Sequence, residues 1–138
     1  MYIMRSNMIN MGFLIAPSAP PANVRGHSTS STSIRVDWYT VPVADQNGII
    51  LTYTVTYMAL PGGSPQRTVV SASTIQVSLT GLMKYRRYHI TVFASNAQGN
   101  GPASQPIIVN TDQDGKLSKL PSNLISSFQE LLFRHEYL

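Results

Sequence analysis

The stretch ASNAQGNGPAS, residues 94–104, carries two glycines and decides how the second half of the chain folds. A phosphate-binding loop would need backbone amides that converge at the start of a helix, usually with a lysine after the glycines. Here Gly101 is followed by Pro102, and the run from Gln105 to Val109 is typical of a strand. The stretch is therefore predicted to join one strand to the next, and it does not indicate a nucleotide site.

The segments on both sides of this stretch alternate between apolar and polar residues, as half-buried strands do. The apolar positions of the predicted strands are Ile34, Val36 and Trp38; Tyr53, Val55 and Tyr57; Ile75, Val77 and Leu79; Tyr88, Ile90, Val92 and Ala94; and Ile107 and Val109. The predicted outward positions are Thr52, Thr54 and Thr56 on one strand, and His89, Thr91 and Phe93 on another. With a first edge strand around Val24 and a short strand from Gln66 to Val70, the pattern predicts seven strands.

Composition restricts the class of protein. A chain of 138 residues is the size of one ordinary domain with some length to spare. Charged residues make up only 12%, and frequent Thr, Ser, Val, Ile and Tyr favour strands, so an all-β fold is expected. The absence of cysteine excludes disulfides, thiolate metal sites and a cysteine nucleophile. A net charge of +4 is too small to indicate a nucleic-acid groove.

The chain is predicted to have three parts: residues 1–19 as a leader, residues 20–112 as one domain, and residues 113–138 as a linker with a helical tail. The proline-rich run APSAPPANV, residues 16–24, marks the first boundary. In the leader, Arg5 precedes an apolar stretch from Met8 to Ala16 that is faintly similar to a secretory signal. Asparagines interrupt the pattern, so a signal-like segment, a disordered leader and the start of a fragment all stay open.

The tail changes to a helical period. Its apolar residues Leu124, Ile125, Phe128, Leu131 and Leu132 fall on one face of a short amphipathic helix. Ser122, after Pro121, is the predicted N-cap. The apolar face needs cover from the domain, from a partner or from a membrane surface.

The strand and turn residues together resemble a fibronectin type III module. The matching residues, which span about residues 20–112, are Pro21, Val24, Trp38, Tyr53, Val55, Tyr57, Leu82, Tyr88, Val92, Ala94, Asn96, Gly99, Gly101, Pro102 and Thr111. The resemblance implies a seven-stranded immunoglobulin-like β-sandwich with Trp38 near the centre of its core. It also implies a tyrosine corner, in which the Tyr88 hydroxyl, spaced from Leu82 as in the family, holds the connection between the sheets. Lys84 and Arg86 depart from the family's usual proline and threonine in that connection.

Patterns for catalysis or metal binding are weak in this sequence. The histidines His27, His89 and His135 have no spacing that unites them in a metal site. The run NTDQDGKLSKLP, residues 110–121, begins like a calcium loop, but Pro121 stands where that loop needs a bidentate glutamate. No serine, histidine and acid arrangement and no pair of catalytic carboxylates is apparent. We therefore expect no enzyme activity, no cofactor and no metal ion.

Two surface features leave alternatives open. Lys84, Arg86 and Arg87 cluster before the Tyr88 strand, where they form either a solvated turn or a patch for an anionic partner. Phe93 is predicted to be a large exposed aromatic beside a threonine-rich face, which marks either a contact patch or an isolated exposed side chain.

These features predict a non-catalytic module that binds another extracellular or cell-surface protein. The expected contact regions are the loops at residues 45–48 and 98–101, and the candidate contact residues are Phe93, Gln98 and Asn100. The alternatives are a structural spacer in a tandem array, and an ectodomain fragment of an enzyme-bearing receptor such as a receptor-type tyrosine phosphatase. The expected location is extracellular or at the cell surface. We expect no nucleic acid partner, and membrane contact only through a parent protein or the tail helix.

Overall fold

The computed structural model describes residues 15–111. Within that range the chain forms eight strands: β1 Ala22–Ser30, β2 Ser33–Tyr39, β3 Thr52–Leu60, β4 Gln66–Ser71, β5 Gln76–Leu79, β6 Arg87–Asn96, β7 Gly99–Asn100 and β8 Ile107–Asn110. The same range has one 3₁₀ turn, Val43–Asp45, and no helix that is long and apolar enough to cross a membrane. The leader up to residue 14, the predicted tail helix and the calcium-like loop after Thr111 lie outside the described residues.

The strands form two antiparallel sheets that pack face to face. One sheet has the order β1-β2-β5, and the other has the order β4-β3-β6, with β7 and β8 both paired to the far side of β6. The fold is therefore an all-β, immunoglobulin-like sandwich, as predicted. Across the inner face, Tyr53 lies opposite Ala94 and Val55 opposite Val92. Because strand side chains alternate between faces, a slip of one residue would expose this whole apolar set.

The described range contains one strand more than the seven predicted. The additional strand, β7, is only two residues long and pairs with the end of β6. Beyond it, Pro102 and Pro106 have no N–H to donate, so the ladder along β6 is interrupted. Ser104 bridges the gap, because its N–H donates to the Val92 carbonyl at 2.8 Å and its Oγ accepts from the Val92 N–H at 3.0 Å. The predicted last strand is β8, and β7 is an additional short strand within the stretch that was predicted to be a turn.

The core consists of the inward residues of both sheets. Its buried members are Ile34, Val36, Trp38, Val41, Ile50, Tyr53, Val55, Tyr57, Ala59, Leu79, Leu82, Tyr88, Ile90, Val92, Ala94 and Val109. The ring centroids of Trp38 and Tyr53 are 5.5 Å apart with planes at 58°, a tilted arrangement that aromatic pairs favour. Ile75 was predicted to lie in a strand with Val77, but it is exposed because β5 begins only at Gln76.

The outer face of the larger sheet departs from simple alternation at Thr54. This threonine points outward as predicted, yet its side chain is only 6% exposed. Val69 on β4 and Phe93 on β6 stand directly opposite it on its two sides. A short side chain on a central strand is shielded by larger cross-strand neighbours. Phe93 is itself half-buried, so the expectation of a large exposed aromatic at this position was wrong.

Two buried hydroxyls hold the connection between β5 and β6. The Tyr88 hydroxyl accepts a hydrogen bond from the Met83 N–H at 2.9 Å, and Leu82 is buried beside it. Thr111 Oγ1 donates to the Met83 carbonyl at 2.8 Å and accepts from the Arg86 N–H at 3.0 Å. Backbone groups of this connection therefore depend on a side chain from β6 and on Thr111, the residue after β8.

The Tyr88→Phe substitution is expected to lower the free energy of unfolding by about 1 kcal/mol, because the Met83 N–H loses its acceptor while the ring stays in place. Urea unfolding followed by far-ultraviolet circular dichroism measures the loss. Tyr39→Phe is the matched control, because Tyr39 is an exposed tyrosine on β2. Equal losses in the two variants would contradict a specific contribution from the Met83 hydrogen bond.

Candidate functional site

Four segments meet at one end of the sandwich, which we call the loop end. They are the lead-in at residues 15–21, the β2–β3 connection at 40–51, the β4–β5 connection at 72–75 and the β6–β7 turn at 97–98. They meet because β3 begins beside the ends of β4 and β6, where Thr52 pairs with Ser71 and Ser95. The two loops that the sequence analysis selected as contact regions both lie at this end.

The buried side chain of Asn96, 7% exposed, joins three of these segments. Its Nδ2 donates to the carbonyl oxygens of Ile15 at 2.9 Å, Gln46 at 3.1 Å and Asn47 at 3.2 Å. Its Oδ1 accepts from the N–H groups of Gln98 at 2.9 Å and Gly99 at 3.3 Å. The prediction that Asn96 bonds to backbone in its own turn is confirmed. The bonds to the lead-in and to the β2–β3 connection make this amide the common anchor of the loop end.

Further contacts fix the lead-in against its neighbours. The Ser18 N–H donates to the Asp45 carbonyl at 2.8 Å, and the Ser18 hydroxyl lies 3.2 Å from Asp45 Oδ1. Gly101 lets the lead-in approach the last strands closely, because a Cβ there would lie 2.8 Å from the Cβ of Pro17. The lead-in is therefore ordered by contacts within the chain.

The β2–β3 connection is held from within the core as well. Asn47 has a φ of 52° and Gly48 a φ of 136°, in keeping with the predicted Asn-Gly turn. Asn47 Nδ2 also donates to the Ala16 carbonyl at 3.0 Å.

Burial raises the pKa of the Tyr53 phenol, and a hydrogen bond from the Val41 backbone partly opposes that rise. Because the folded-state pKa is raised, this tyrosine stays neutral at physiological pH, and its contribution to stability is lost only as the pH becomes strongly alkaline.

The three candidate contact residues lie near one another but in different settings. Gln98 is exposed within the β6–β7 turn, and Asn100 is exposed at the end of β7. Asn100 Oδ1 accepts a hydrogen bond from the Ser95 hydroxyl at 2.7 Å, so its amide nitrogen faces away from that bond. Phe93 lies three residues before Asn96, half-buried on the outer face of β6. The turn therefore presents two polar side chains, with an aromatic ring on the adjoining sheet face.

The loop end also carries exposed apolar residues that the sequence analysis did not select. Large exposed apolar side chains at this end are Ile15, Tyr39, Val43, Ile49, Leu51 and Ile75. The available signal was the run VPVADQNGII, residues 41–50, in which apolar residues surround turn formers without the alternation of a strand. Exposed apolar residues that gather in one region of a surface indicate an interaction site more strongly than scattered ones do.

The charged and titratable candidates lie elsewhere. Lys84, Arg86 and Arg87 lie at the opposite end, in or next to the β5–β6 connection, and each has an interaction partner in the structure. His27 is exposed on β1 and His89 is half-buried on β6. Across residues 15–111, no group of three or more histidines or acids is placed to hold a metal ion.

A comparison of the whole chain with models of known protein families agrees with the fold and with the matching residues. The fibronectin type III family model matches residues 19–110. The chain belongs to the fibronectin type III family. A fibronectin type III domain is a non-catalytic module.

Relatives of this fibronectin type III domain are parts of much larger proteins. The chain is 43% identical over 101 residues to receptor-type tyrosine-protein phosphatase F of Mus musculus, a match that covers 71% of this chain and 5% of that protein. It is 41% identical over 100 residues to protein sidekick-1 of Gallus gallus, again covering 71% and 5%. The crystal structure of the FN5 domain of Drosophila Lar gives a TM-score of 0.60 at 28% identity, covering 71% of this chain and 99% of that one. The chain thus spans about 5% of the length of these curated relatives.

Proposed function

We propose that this chain is a protein-binding module from the extracellular part of an adhesion molecule or receptor, and that its loop end recognises a cell-surface protein. The anchoring of the loop end by Asn96 is the observation that carries this proposal. The backbone that carries Gln98 and Asn100 is already held, because the Gln98 N–H donates to Asn96 Oδ1 and Asn100 pairs with Ser95 in the β6–β7 ladder. A preordered binding loop loses little conformational entropy on association.

The resemblance to large receptors supports this proposal at the level of the parent protein. Receptor-type tyrosine-protein phosphatase F and protein sidekick-1 share more than 40% identity with the chain over about 100 residues. A parent of either kind, an enzyme-bearing receptor or an adhesion protein, would use this domain outside its catalytic or cytoplasmic parts. The chemistry of the domain is the same in both cases, because it supplies a binding surface and no reacting group.

Alanine substitutions at Gln98, Asn100 and Phe93 test this function. We expect fluorescent tetramers of the full chain to stain intact cells from a panel of lines, and we expect prior trypsin treatment of the cells to abolish staining. Each of these three substitutions is expected to weaken staining about tenfold, which corresponds to a loss of about 1.4 kcal/mol of binding free energy. Circular dichroism confirms that each variant is folded, which matters most for half-buried Phe93.

Gln66→Ala provides the matched control. Gln66 is an exposed glutamine at the start of β4, opposite Tyr57, and so lies away from the loop end. Its substitution is expected to leave staining unchanged. Unchanged staining across all the loop-end variants would contradict recognition by this surface. It would instead favour the spacer function, in which the domain contacts only its neighbours in a tandem array.

A further inference from the structure

The charged residues of the described range are distributed unevenly over the sandwich. Residues 15–111 contain two acidic residues and six basic ones. Asp45 lies at the loop end, and Asp37 on the smaller sheet is paired with Arg25 at 3.1 Å. The strands of the larger sheet and the β5–β6 connection contain no acidic residue. Among the described residues, cations alone therefore set the charge of that part of the surface.

Two of these cations lie on the outer face of the larger sheet. Arg67 is exposed at the start of β4, where it stands opposite Thr56 on β3. Arg87 begins β6 and precedes Tyr88, which is buried in the core. Because side chains alternate along a strand, Arg87 points to the outer face. The two arginines therefore belong to one continuous surface.

This basic surface extends from the sheet face onto the β5–β6 connection. Arg67 lies opposite Thr56, and Arg87 lies opposite Leu60, four residues further along β3. With two strand spacings between them, the Cα atoms of the two arginines are about 17 Å apart. Lys84 and Arg86 lie in the connection that leads into β6. We call these four residues the basic end: Arg67, Lys84, Arg86 and Arg87.

The cations of the basic end have donors to spare for a ligand. Lys84, Arg86 and Arg87 each have an interaction partner already. A guanidinium carries five N–H donors and an ammonium three, so one partner does not use them all. Planar guanidinium groups bind anions that offer several acceptor oxygens especially well. The basic end is therefore suited to a ligand that carries many such anionic groups.

We propose that the basic end binds a sulfated polysaccharide. The cations are spread over about 17 Å and over two faces of the domain, so a flat anionic surface would contact only some of them. A flexible chain with many charges can follow them from the sheet face onto the connection. The choice of a sulfated polysaccharide among polyanions rests on the extracellular setting of the proposed function. The site lies at the other end of the sandwich from Gln98 and Asn100, so the domain can hold a polysaccharide and a protein partner together.

Heparin is the probe, and its binding to the full chain is measured by titration calorimetry over a range of NaCl concentrations. We expect the affinity to fall as salt rises, because binding to a polyanion releases its counterions. An Arg67→Gln, Lys84→Gln double variant is expected to bind about tenfold more weakly, or weaker still. The slope of log affinity against log salt is expected to shrink by about two. Both side chains are exposed, so the variant is expected to stay folded, which circular dichroism checks.

An Arg25→Gln, Arg35→Gln double variant is the matched control. It removes the same number of charges from exposed positions, but on the smaller sheet. We expect its affinity for heparin to stay within about twofold of that of the unmodified chain, because exposed charges more than a Debye length away are largely screened. Equal losses in the two double variants would overturn the proposal, since net charge and not the basic end would then govern binding.

Other anionic ligands are titrated at the same salt concentrations. They are vesicles of phosphatidylserine with phosphatidylcholine, and polyglutamate, and each is expected to bind more weakly than heparin. Tighter binding to the vesicles would overturn the proposal in favour of a membrane surface, and tighter binding to polyglutamate in favour of an acidic protein segment. No heparin binding at physiological salt would also overturn it. Gln98→Ala and Asn100→Ala are expected to leave heparin binding unchanged, so failure of the proposed function would not be mistaken for failure of this site.

Discussion

Replacement of Trp38 by alanine is expected to lower the free energy of unfolding by about 3–5 kcal/mol, the usual cost of truncating a large buried aromatic side chain. Trp38 is 1% exposed and packs against Tyr53 between the two sheets, where alanine would leave a cavity. Domains of this kind are stable by about 5–15 kcal/mol, so the loss removes a large share of the total. Because Trp38 is the single tryptophan of the chain, unfolding in urea is followed by circular dichroism and not by tryptophan fluorescence.

Trp38→Phe is the matched variant. The indole Nε1 is buried and has no hydrogen-bond acceptor among the described residues. Phenylalanine keeps a ring beside Tyr53 and removes no such hydrogen bond. We therefore expect it to lower the free energy of unfolding by less than half as much as alanine does. If the two substitutions destabilise equally, the role assigned to ring packing at the centre of the core is wrong.

The strands could be predicted because the pattern of neighbouring residues in the sequence determines them. Alternation such as that of Ile34, Val36 and Trp38 needs only the period of a strand and a buried face to be interpreted. The short strand β7 and the Ser104 bridge after it could not be predicted in this way, because both depend on residues of the neighbouring strand β6, such as Val92. Burial of Thr54 likewise depends on register, since Val69 and Phe93 come from other strands.

The loop end shows the same division between local and distant causes. The bonds from Asn96 to its own turn were predictable, because asparagine commonly binds backbone two residues ahead. The carbonyls to which its Nδ2 donates include those of Ile15 and Gln46, which are 81 and 50 residues away in sequence. No local pattern encodes such pairs, and they exist only after the sandwich has brought β2, β3 and β6 to a common end. The exposure of Val43 and Ile49 likewise could not be predicted, because it depends on the folded path of the connection between two strands.

Substitution of Asn96 by alanine is expected to lower the free energy of unfolding by about 2–3 kcal/mol, because partly buried carbonyls and N–H groups lose their partner together. For a domain of about 100 residues this corresponds to a fall in Tm of about 10 °C or more. Carbonyls from the lead-in and the β2–β3 connection would have to find water instead. We therefore also expect faster amide hydrogen exchange at Gln98 and Gly99, whose N–H groups now bind Asn96 Oδ1.

Asn100→Ala is the control for this prediction, because it removes the same kind of side chain from the same turn. Asn100 is exposed and its Oδ1 accepts one bond, from the Ser95 hydroxyl, which water can replace. The expected loss is within about 0.5 kcal/mol, as for most surface substitutions. The two variants also separate the two roles of the turn, since Asn100→Ala is expected to weaken cell-surface binding while the domain keeps its Tm. If Asn96→Ala proved as stable as Asn100→Ala, the loop end would not be held by this amide, and the preordered surface on which the proposed recognition depends would have to be abandoned.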